Sequence, residues 1–217
     1  MVYELQVFKN KDSFIREKNI GLIAFETDEE LKEGGFKFSG RLIAALDLEE
    51  KTFTVPDGIE TLCSDMFVSE HWGVYSSAVE RLVIPASVKT IEEGAFKGTH
   101  IKEVVIHPDS TCGVVENGAL YTADKKTLLW IMYEEDQDEF IVPDFVKKIG
   151  TWCFDVNTVK HLGMFSGIEE IGIDGDFLCI GDINFYAPEG SFALKFAEEY
   201  GIPYAEVTEA MLRGEEE

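Results

Sequence analysis

A repeated spacing of proline and apolar residues constrains this chain more than any other feature. The segments VPDGIETLCSDMF (55–67), IPASVKTIEEGAF (84–96) and VPDFVKKIGTWCF (142–154) each place apolar residues three and six positions after proline, and phenylalanine eleven positions after it. FSGIEEIGIDGDF (165–177) is a degenerate fourth copy. A single repeat of this size cannot bury its own apolar side, so repeats must stack along one continuous core. The spacing therefore predicts a solenoid.

A second, overlapping pattern predicts the strands of that solenoid. Apolar residues alternate at 82/84, 104/106 and 162/164, and proline follows most such positions and ends the strand. Successive strands are about 22 residues apart, which leaves no room for a long helix within a repeat. We expect strands near 82–84, 104–106, 140–142, 162–164 and 183–185 to be neighbours in one parallel sheet. Phe67, Phe96 and Phe154 should form one buried stack.

The spacing is longer at two insertions. Residues 118–121 and 127–133 predict a β-hairpin, and residues 36–57 echo it, because Leu42 and Leu129 each precede a repeat phenylalanine by the same distance. Residues 68–78 should form a longer corner loop. The fold class is thus mainly β, a parallel solenoid of about six short-strand rungs (36–207) with a hairpin insertion.

The ends of the chain lack the repeat. Residues 1–35 predict a small α/β cap with strands at 2–8 and 21–27 and a short helix at 13–18. Residues 191–200 predict a capping helix with Ser191 at its N-cap and Gly201 and Pro203 as stop signals. Residues 208–217 are expected to be a charged tail.

The run Ile84–Ile106, I-P-x-x-V-x-x-I-x-x-x-A-F-x-x-x-x-I-x-x-V-x-I, strongly resembles the BspA-like leucine-rich-repeat family. ENGALYTADKKTLL and YAPEGSFALKFAEEYGIPY are similar to that family's hairpin rung and terminal helix, so the resemblance covers about residues 36–205. It implies a right-handed solenoid and roles in protein recognition or bacterial surface attachment, with no shared active site. Thr99 and Asn157 replace the family's usual Cys or Gly, which affects packing.

The charge balance limits the classes of partner. Nineteen Lys and Arg stand against 42 Asp and Glu, a net charge of −23, which repels phosphate backbones and anionic lipids. We expect no nucleic-acid or membrane partner, and a protein partner with a basic patch. The sequence favours a monomer.

The chain start and the cysteines bear on location. The N-terminus lacks the basic and apolar regions of a signal peptide. Each cysteine stands among apolar residues without a CxxC pair, which predicts buried, reduced thiols: Cys63, Cys112, Cys153 and Cys179. These features favour a cytoplasmic location, whereas the family resemblance leaves a cell-surface or secreted one open.

The residue types that usually carry chemistry are scattered. The four histidines accompany no nucleophile motif, and the acidic clusters match no calcium-loop pattern, so solvated turns explain them better. No catalytic residue, cofactor or metal is expected. These histidines and acidic clusters are His71, His100, His107, His161, Asp136, Asp138, Asp174, Asp176 and Asp182.

The outward side chains of the predicted sheet are the leading binding candidates. Val83, Val105 and Ile141 form an apolar centre that Gly163 and Asn184 continue, and Arg81, Glu103, Glu139, His161 and Asp182 flank it. Trp72 and Tyr75 in the long loop are a second exposed candidate, whereas Trp152 is expected in the core. The sequence predicts a non-catalytic binding or adhesion-type module. The alternatives are a hydrolytic enzyme with an acidic site in 68–78 or 113–139, or a structural subunit of a larger assembly.

Overall fold

The structure is a computed structural model that describes residues 4–8, 22–26, 40–46, 50–68, 78–154, 159–172 and 183–215. These ranges contain two helices, α1 (Phe192–Tyr200) and α2 (Glu209–Leu212). They also contain the following strands: β1 (Glu4–Phe8), β2 (Leu22–Glu26), β3 (Gly40–Leu46), β4 (Thr52–Thr54), β5 (Ile59–Leu62), β6 (Arg81–Ile84), β7 (Thr90–Ile91), β8 (Glu103–Ile106), β9 (Val114–Glu116), β10 (Ala119–Tyr121), β11 (Thr127–Ile131), β12 (Glu139–Ile141), β13 (Lys148–Ile149), β14 (His161–Gly163), β15 (Glu170–Ile171), β16 (Asn184–Ala187) and β17 (Tyr204–Glu206).

One side of the solenoid, here called the front wall, consists of two parallel sheets. The upper sheet has the order β4-β6-β8, and the lower sheet has the order β12-β14-β16-β17. Every neighbouring pair within them is parallel. The parallel solenoid fold is therefore confirmed. The prediction of one uninterrupted sheet is wrong, because β8 and β12 belong to different sheets and β9, β10 and β11 intervene between them in the chain.

The opposite side, the back wall, also has two sheets, and each contains an antiparallel strand pair beside its parallel strands. The first has the order β1-β2-β3-β5-β7, in which β2 and β3 are antiparallel and β3, β5 and β7 are parallel. The second has the order β15-β13-β11-β10-β9, with β10 and β11 antiparallel and β11, β13 and β15 parallel. The predicted similarity between residues 36–57 and the hairpin insertion is confirmed, because β3 and β11 each pair with one antiparallel and one parallel strand. The strands expected at 2–8 and 21–27 are confirmed as β1 and β2, and the helix expected at 13–18 lies outside the described residues.

The interior is divided into two hydrophobic cores by β10 and β11, here called the partition hairpin. Leu129, Trp130 and Met132 pack into the first core, which begins at Phe53. Leu128 and Ile131 pack into the second core, which extends to α1. A strand buried on both faces is apolar at consecutive positions rather than at alternate ones. The sequence Leu128–Met132 has this character, so the hairpin is an internal layer rather than a surface insertion.

The partition hairpin also changes the arrangement of the repeat phenylalanines. Phe67, Phe96 and Phe154 are all buried, as predicted. The prediction of a single stack is wrong, because Phe67 and Phe96 lie in the first core and Phe154 lies in the second. Trp130 meets Phe96 edge to face, with 5.9 Å between ring centroids.

The residue two positions before each repeat phenylalanine has a left-handed backbone. The φ angles are 56° at Asp65, 75° at Gly94 and 53° at Trp152. Because of this turn, the residue two positions before the phenylalanine does not share its inward orientation, as it would in a regular strand. Trp152 is accordingly only half-buried, and Lys97 Nζ lies 4.1 Å from its ring centroid. The prediction that Trp152 lies in the core is therefore wrong.

The C-terminal end closes the second core with α1. The Ser191 hydroxyl accepts a hydrogen bond from the Leu194 N–H at 3.3 Å, and Gly201 ends the helix at φ 69°, so both predicted cap signals are confirmed. Phe196 stacks on Phe185 of the lower sheet. After α1, β17 extends the lower sheet. Within the expected charged tail, which starts at residue 208, the structure has α2 with Leu212 buried.

Candidate binding face

The outer surface of the upper sheet carries two rows of side chains set by strand register. One row runs Thr52–Arg81–Glu103, and the other runs Thr54–Val83–Val105. Val83 and Val105 are in-register neighbours and are both half-buried. The structure therefore brings together two of the predicted binding residues as an apolar pair on the outside of parallel strands.

Ion pairs lie to one side of this valine pair, at the end of the sheet where the strands begin. The Arg81 guanidinium lies 2.7 Å from a Glu103 carboxylate oxygen, and the Lys51 and Lys102 ammonium groups lie 2.9 and 3.7 Å from Glu80. The hydrogen bond from Lys51 lowers the pKa of Glu80 below its ordinary value. Exposed pairs of this kind add little stability. They make the surface on this side of the valine pair polar, with three cationic and two anionic groups.

The lower sheet places its outward residues differently from the prediction. Its two rows run Glu139–His161–Asn184 and Ile141–Gly163–Tyr186–Ala205. Phe185, rather than Ile183, is the partner of Leu162. Asn184 therefore lies in the polar row beside His161. Tyr186 lies beside Gly163, at the position that the sequence prediction gave to Asn184.

His161 and Tyr186 form a contact across this face. The Tyr186 hydroxyl lies 3.2 Å from His161 Nδ1, and their ring centroids are 5.5 Å apart in an edge-to-face arrangement. Both side chains are half-buried. The contact gives His161 a structural role in the wall.

The other two described histidines also have local partners. The His100 ring packs edge to face on Tyr133, with 5.0 Å between centroids, and His107 Nδ1 accepts a hydrogen bond from the Asp109 N–H at 3.2 Å. Within the described ranges, no group of three or more His, Cys, Asp or Glu could hold a metal ion. Asp136 and Asp138 line an open depression on the turn after the partition hairpin, together with the other residues between Glu134 and Glu139.

The three cysteines in the described ranges are buried. Cys112 and Cys153 are buried free thiols, as predicted, and burial raises the pKa of each. Cys63 is buried as well, and its sulfur accepts a hydrogen bond from Arg41 Nε at 3.3 Å. Several other sequence candidates lie outside the described residues: His71, Trp72, Tyr75, Asp174, Asp176, Cys179 and Asp182.

Comparison with known proteins supplies structural matches and no sequence family. No protein-family model matches the chain, and no curated protein is significantly similar to it. A leucine-rich repeat protein from Eubacterium ventriosum superimposes with a TM-score of 0.53 at 26% identity, over 64% of this chain and 36% of that one. The pneumococcal vaccine antigen PcpA superimposes with a TM-score of 0.51 at 19% identity, over 70% of this chain and 42% of that one. This chain thus spans less than half the length of either protein.

A third match is more distant. It is a leucine rich cell surface protein from Faecalibacterium prausnitzii, with a TM-score of 0.42 at 21% identity over 65% of this chain and 41% of that one. Among the helices of the described ranges, none has the length and apolar character that a membrane crossing requires.

Proposed function

Since the chain is a leucine-rich-repeat protein built as a parallel β-solenoid, we propose that it is a non-catalytic module that binds a protein partner through the outer surface of its front wall. The fold and its structural neighbours agree with the BspA-like resemblance of the sequence. The observation that carries the proposal is the Val83–Val105 pair, half-buried on adjacent strands and bordered on one side by exposed ion pairs. An apolar centre with a polar rim is the usual anatomy of a protein interface.

The proposed partner carries a basic patch. The chain has 42 acidic and 19 basic residues, and its field attracts cationic surfaces over the Debye length, about 8 Å at physiological salt. This attraction would speed encounter, whereas the valine pair would supply most of the affinity. Trp72 and Tyr75 are a second proposed contact, outside the described residues.

The hydrolase alternative has weaker support. In the 113–139 segment, β10 and β11 contribute core residues to both halves of the molecule, and its acidic turn surrounds an open depression rather than a closed site. Action at a bacterial surface, which the sequence resemblance implies, is compatible with a binding module. None of the comparisons supports the cytoplasmic location expected from the cysteines and the chain start.

Val105→Glu tests the proposed face once a partner has been captured by affinity purification. A carboxylate in the apolar centre should weaken binding at least about tenfold at every salt concentration, since tenfold corresponds to about 1.4 kcal/mol. Val105→Thr is the matched control because it keeps the shape of the side chain, and it should change affinity less than about threefold. Glu103→Lys should instead alter the association rate and its salt dependence. Surface plasmon resonance would measure all three, and an affinity unchanged by Val105→Glu would contradict the proposal.

A further inference from the structure

The chain's own C-terminal segment lies against the lower sheet. Residues 208–213, here called the strap, start at Thr208, whose hydroxyl accepts a hydrogen bond from the Met211 N–H at 3.1 Å. The Glu209 carboxylate accepts hydrogen bonds from the Ser166 hydroxyl and, at 3.4 Å, from the Ser166 N–H. These bonds tie the strap to the turn that follows β14.

Leu212 of the strap fills a depression that exists because residue 163 is glycine. A Cβ at Gly163 would lie 3.0 Å from Leu212 Cδ2 and 3.3 Å from Ile141 Cγ1. Leu212 is only 8% exposed, although it follows the last strand of the solenoid. In the corresponding upper-sheet row, Val83 and Val105 carry side chains. The depression is therefore specific to the lower sheet, and it accepts an apolar side chain.

The next residue of the strap occupies a site suited to a guanidinium group. The Arg213 guanidinium lies 4.9 Å from the centroid of the Phe165 ring. Its Nη2 is 3.4 Å from Glu209 Oε2 within the strap and 3.7 Å from Asp144 Oδ2 outside it. Phe165 is buried and Asp144 is exposed, so the site combines an aromatic floor with a carboxylate at its rim. Cation–π contact and ion pairing both favour arginine here.

We propose that this surface is a docking site for a partner segment that carries an apolar residue followed by arginine, and that the strap occupies the site until such a segment displaces it. Displacement is feasible because α2 has four residues, and helices this short have little stability of their own. The ion pairs of the strap are also exposed, with Arg213 and Asp144 side chains 38% and 61% accessible.

The charge of the molecule agrees with this occupant, since a net charge of −23 favours a cationic segment over an acidic one. The inference deepens the proposed function, because it rests on the same front wall and names the kind of segment recognised. It concerns the lower sheet, whereas Val83 and Val105 belong to the upper sheet, so the two can be tested separately.

The experiment compares the wild-type chain with the variant Leu212→Ala/Arg213→Ala, in which the strap loses its contacts at the depression and at Phe165 and keeps only the Glu209–Ser166 hydrogen bonds. The probe is a fluorescent peptide of residues 207–214, VTEAMLRG, with blocked ends. Fluorescence anisotropy should show that the opened variant binds at least about tenfold more tightly than the wild type, whose tethered strap competes at a high effective concentration. Peptides with the leucine changed to alanine, or the arginine changed to glutamate, should bind the opened variant at least about tenfold more weakly.

Two further changes in the opened variant locate the site. Gly163→Val should abolish peptide binding by filling the depression, and Asp144→Asn, at an exposed position that does not threaten folding, should weaken selection of arginine over glutamate. Val105→Glu should leave peptide binding unchanged, so failure of the upper-sheet interface would not be mistaken for failure of this site. No binding by the opened variant, or equal binding by the wild type, would overturn the proposal. A concentration-dependent dimer in light scattering would overturn it in favour of strap exchange between two copies.

Discussion

At the scale of single residues, Tyr121 is the most unusual member of the core. Its side chain is fully buried in the second core, and its hydroxyl has no hydrogen-bond partner in the part of the chain that the structure describes. Its ring packs edge to face on Phe145 at 5.5 Å. Burial raises the pKa of Tyr121, and the nearby Glu116 carboxylate raises it further. The phenol therefore stays protonated when the unfolded chain would ionise.

Tyr121→Phe should consequently be neutral or stabilising. At pH 7 we expect the free energy of unfolding to stay equal or to rise by up to about 1 kcal/mol, because the substitution removes a buried hydroxyl that has no hydrogen-bond partner. In the wild type, ionisation of the unfolded chain above about pH 10 should lower stability, since the folded state binds the extra proton. The variant should lose less stability there. Urea unfolding at pH 7 and pH 10.5 would measure both effects, with Tyr204→Phe at an exposed position as the control.

Phe96 tests the importance of the repeat phenylalanine. It is 1% exposed and meets Trp130 of the partition hairpin. Phe96→Ala should lower the free energy of unfolding by about 3–5 kcal/mol, the usual cost of truncating a large core aromatic. Phe192→Ala, at a position 40% exposed, should cost clearly less. A loss below about 1 kcal/mol for Phe96→Ala in thermal or urea unfolding would show that the residue is peripheral.

At the scale of elements, proline spacing predicted the front-wall strands well. The inward residues Phe53, Leu82 and Phe140 each precede a proline by three positions, and Phe185 precedes Pro188 in the same way. The register of β16 could therefore have been obtained from Pro188, whereas following the apolar pair Ile183 and Phe185 displaced the strand by two residues. The error moved Asn184 into the apolar row.

The role of the partition hairpin could be predicted only in part. Its apolar runs indicated strands, but the pattern does not specify which neighbours bury the two faces, because those contacts join residues far apart in the chain. The Trp130 indole N–H, for instance, donates to the Ile101 carbonyl at 3.3 Å.

The sequence analysis did not predict the strap, although local signals for it exist. Thr208 is a favourable N-cap, and Gly214, at φ 68°, ends the turn. The charged residues at 213 and 215–217 favoured the prediction of a tail over that of a helix.

At the scale of the whole molecule, the chain consists of two similar halves that share one internal layer. In each half an antiparallel strand pair of the back wall precedes the parallel strands, and each half has its own core. Contacts between the halves are polar as well as apolar. Glu93 lies 2.8 Å from Lys148 Nζ and accepts a hydrogen bond from the Thr151 N–H at 3.1 Å, and the Tyr133 N–H donates to the Ile101 carbonyl at 2.9 Å.

The shared layer should make the halves unfold together. In solenoids, stability is approximately the sum of the repeats and the interfaces between neighbours, so cooperativity depends on the strength of each interface. We expect wild-type urea unfolding to give one transition that coincides by circular dichroism and tryptophan fluorescence. Trp130→Ala removes the contact with Phe96 and the bond to Ile101 from the interface, and it should cost about 3–5 kcal/mol. The two probes should then separate, because each half retains a core of its own.

Trp130→Phe distinguishes packing from hydrogen bonding in this coupling. It keeps an aromatic ring between the cores and loses the N–H donor to Ile101, so unfolding should remain a single transition with a smaller loss of stability. Trp152, on the other side of the interface, continues to report by fluorescence in both variants. Hydrogen exchange on Trp130→Ala should show the amides of one half exchanging at lower denaturant than those of the other. Coincident transitions in Trp130→Ala would instead assign the coupling to the polar contacts of Glu93, and two transitions in the wild type would show that the partition hairpin does not couple the halves.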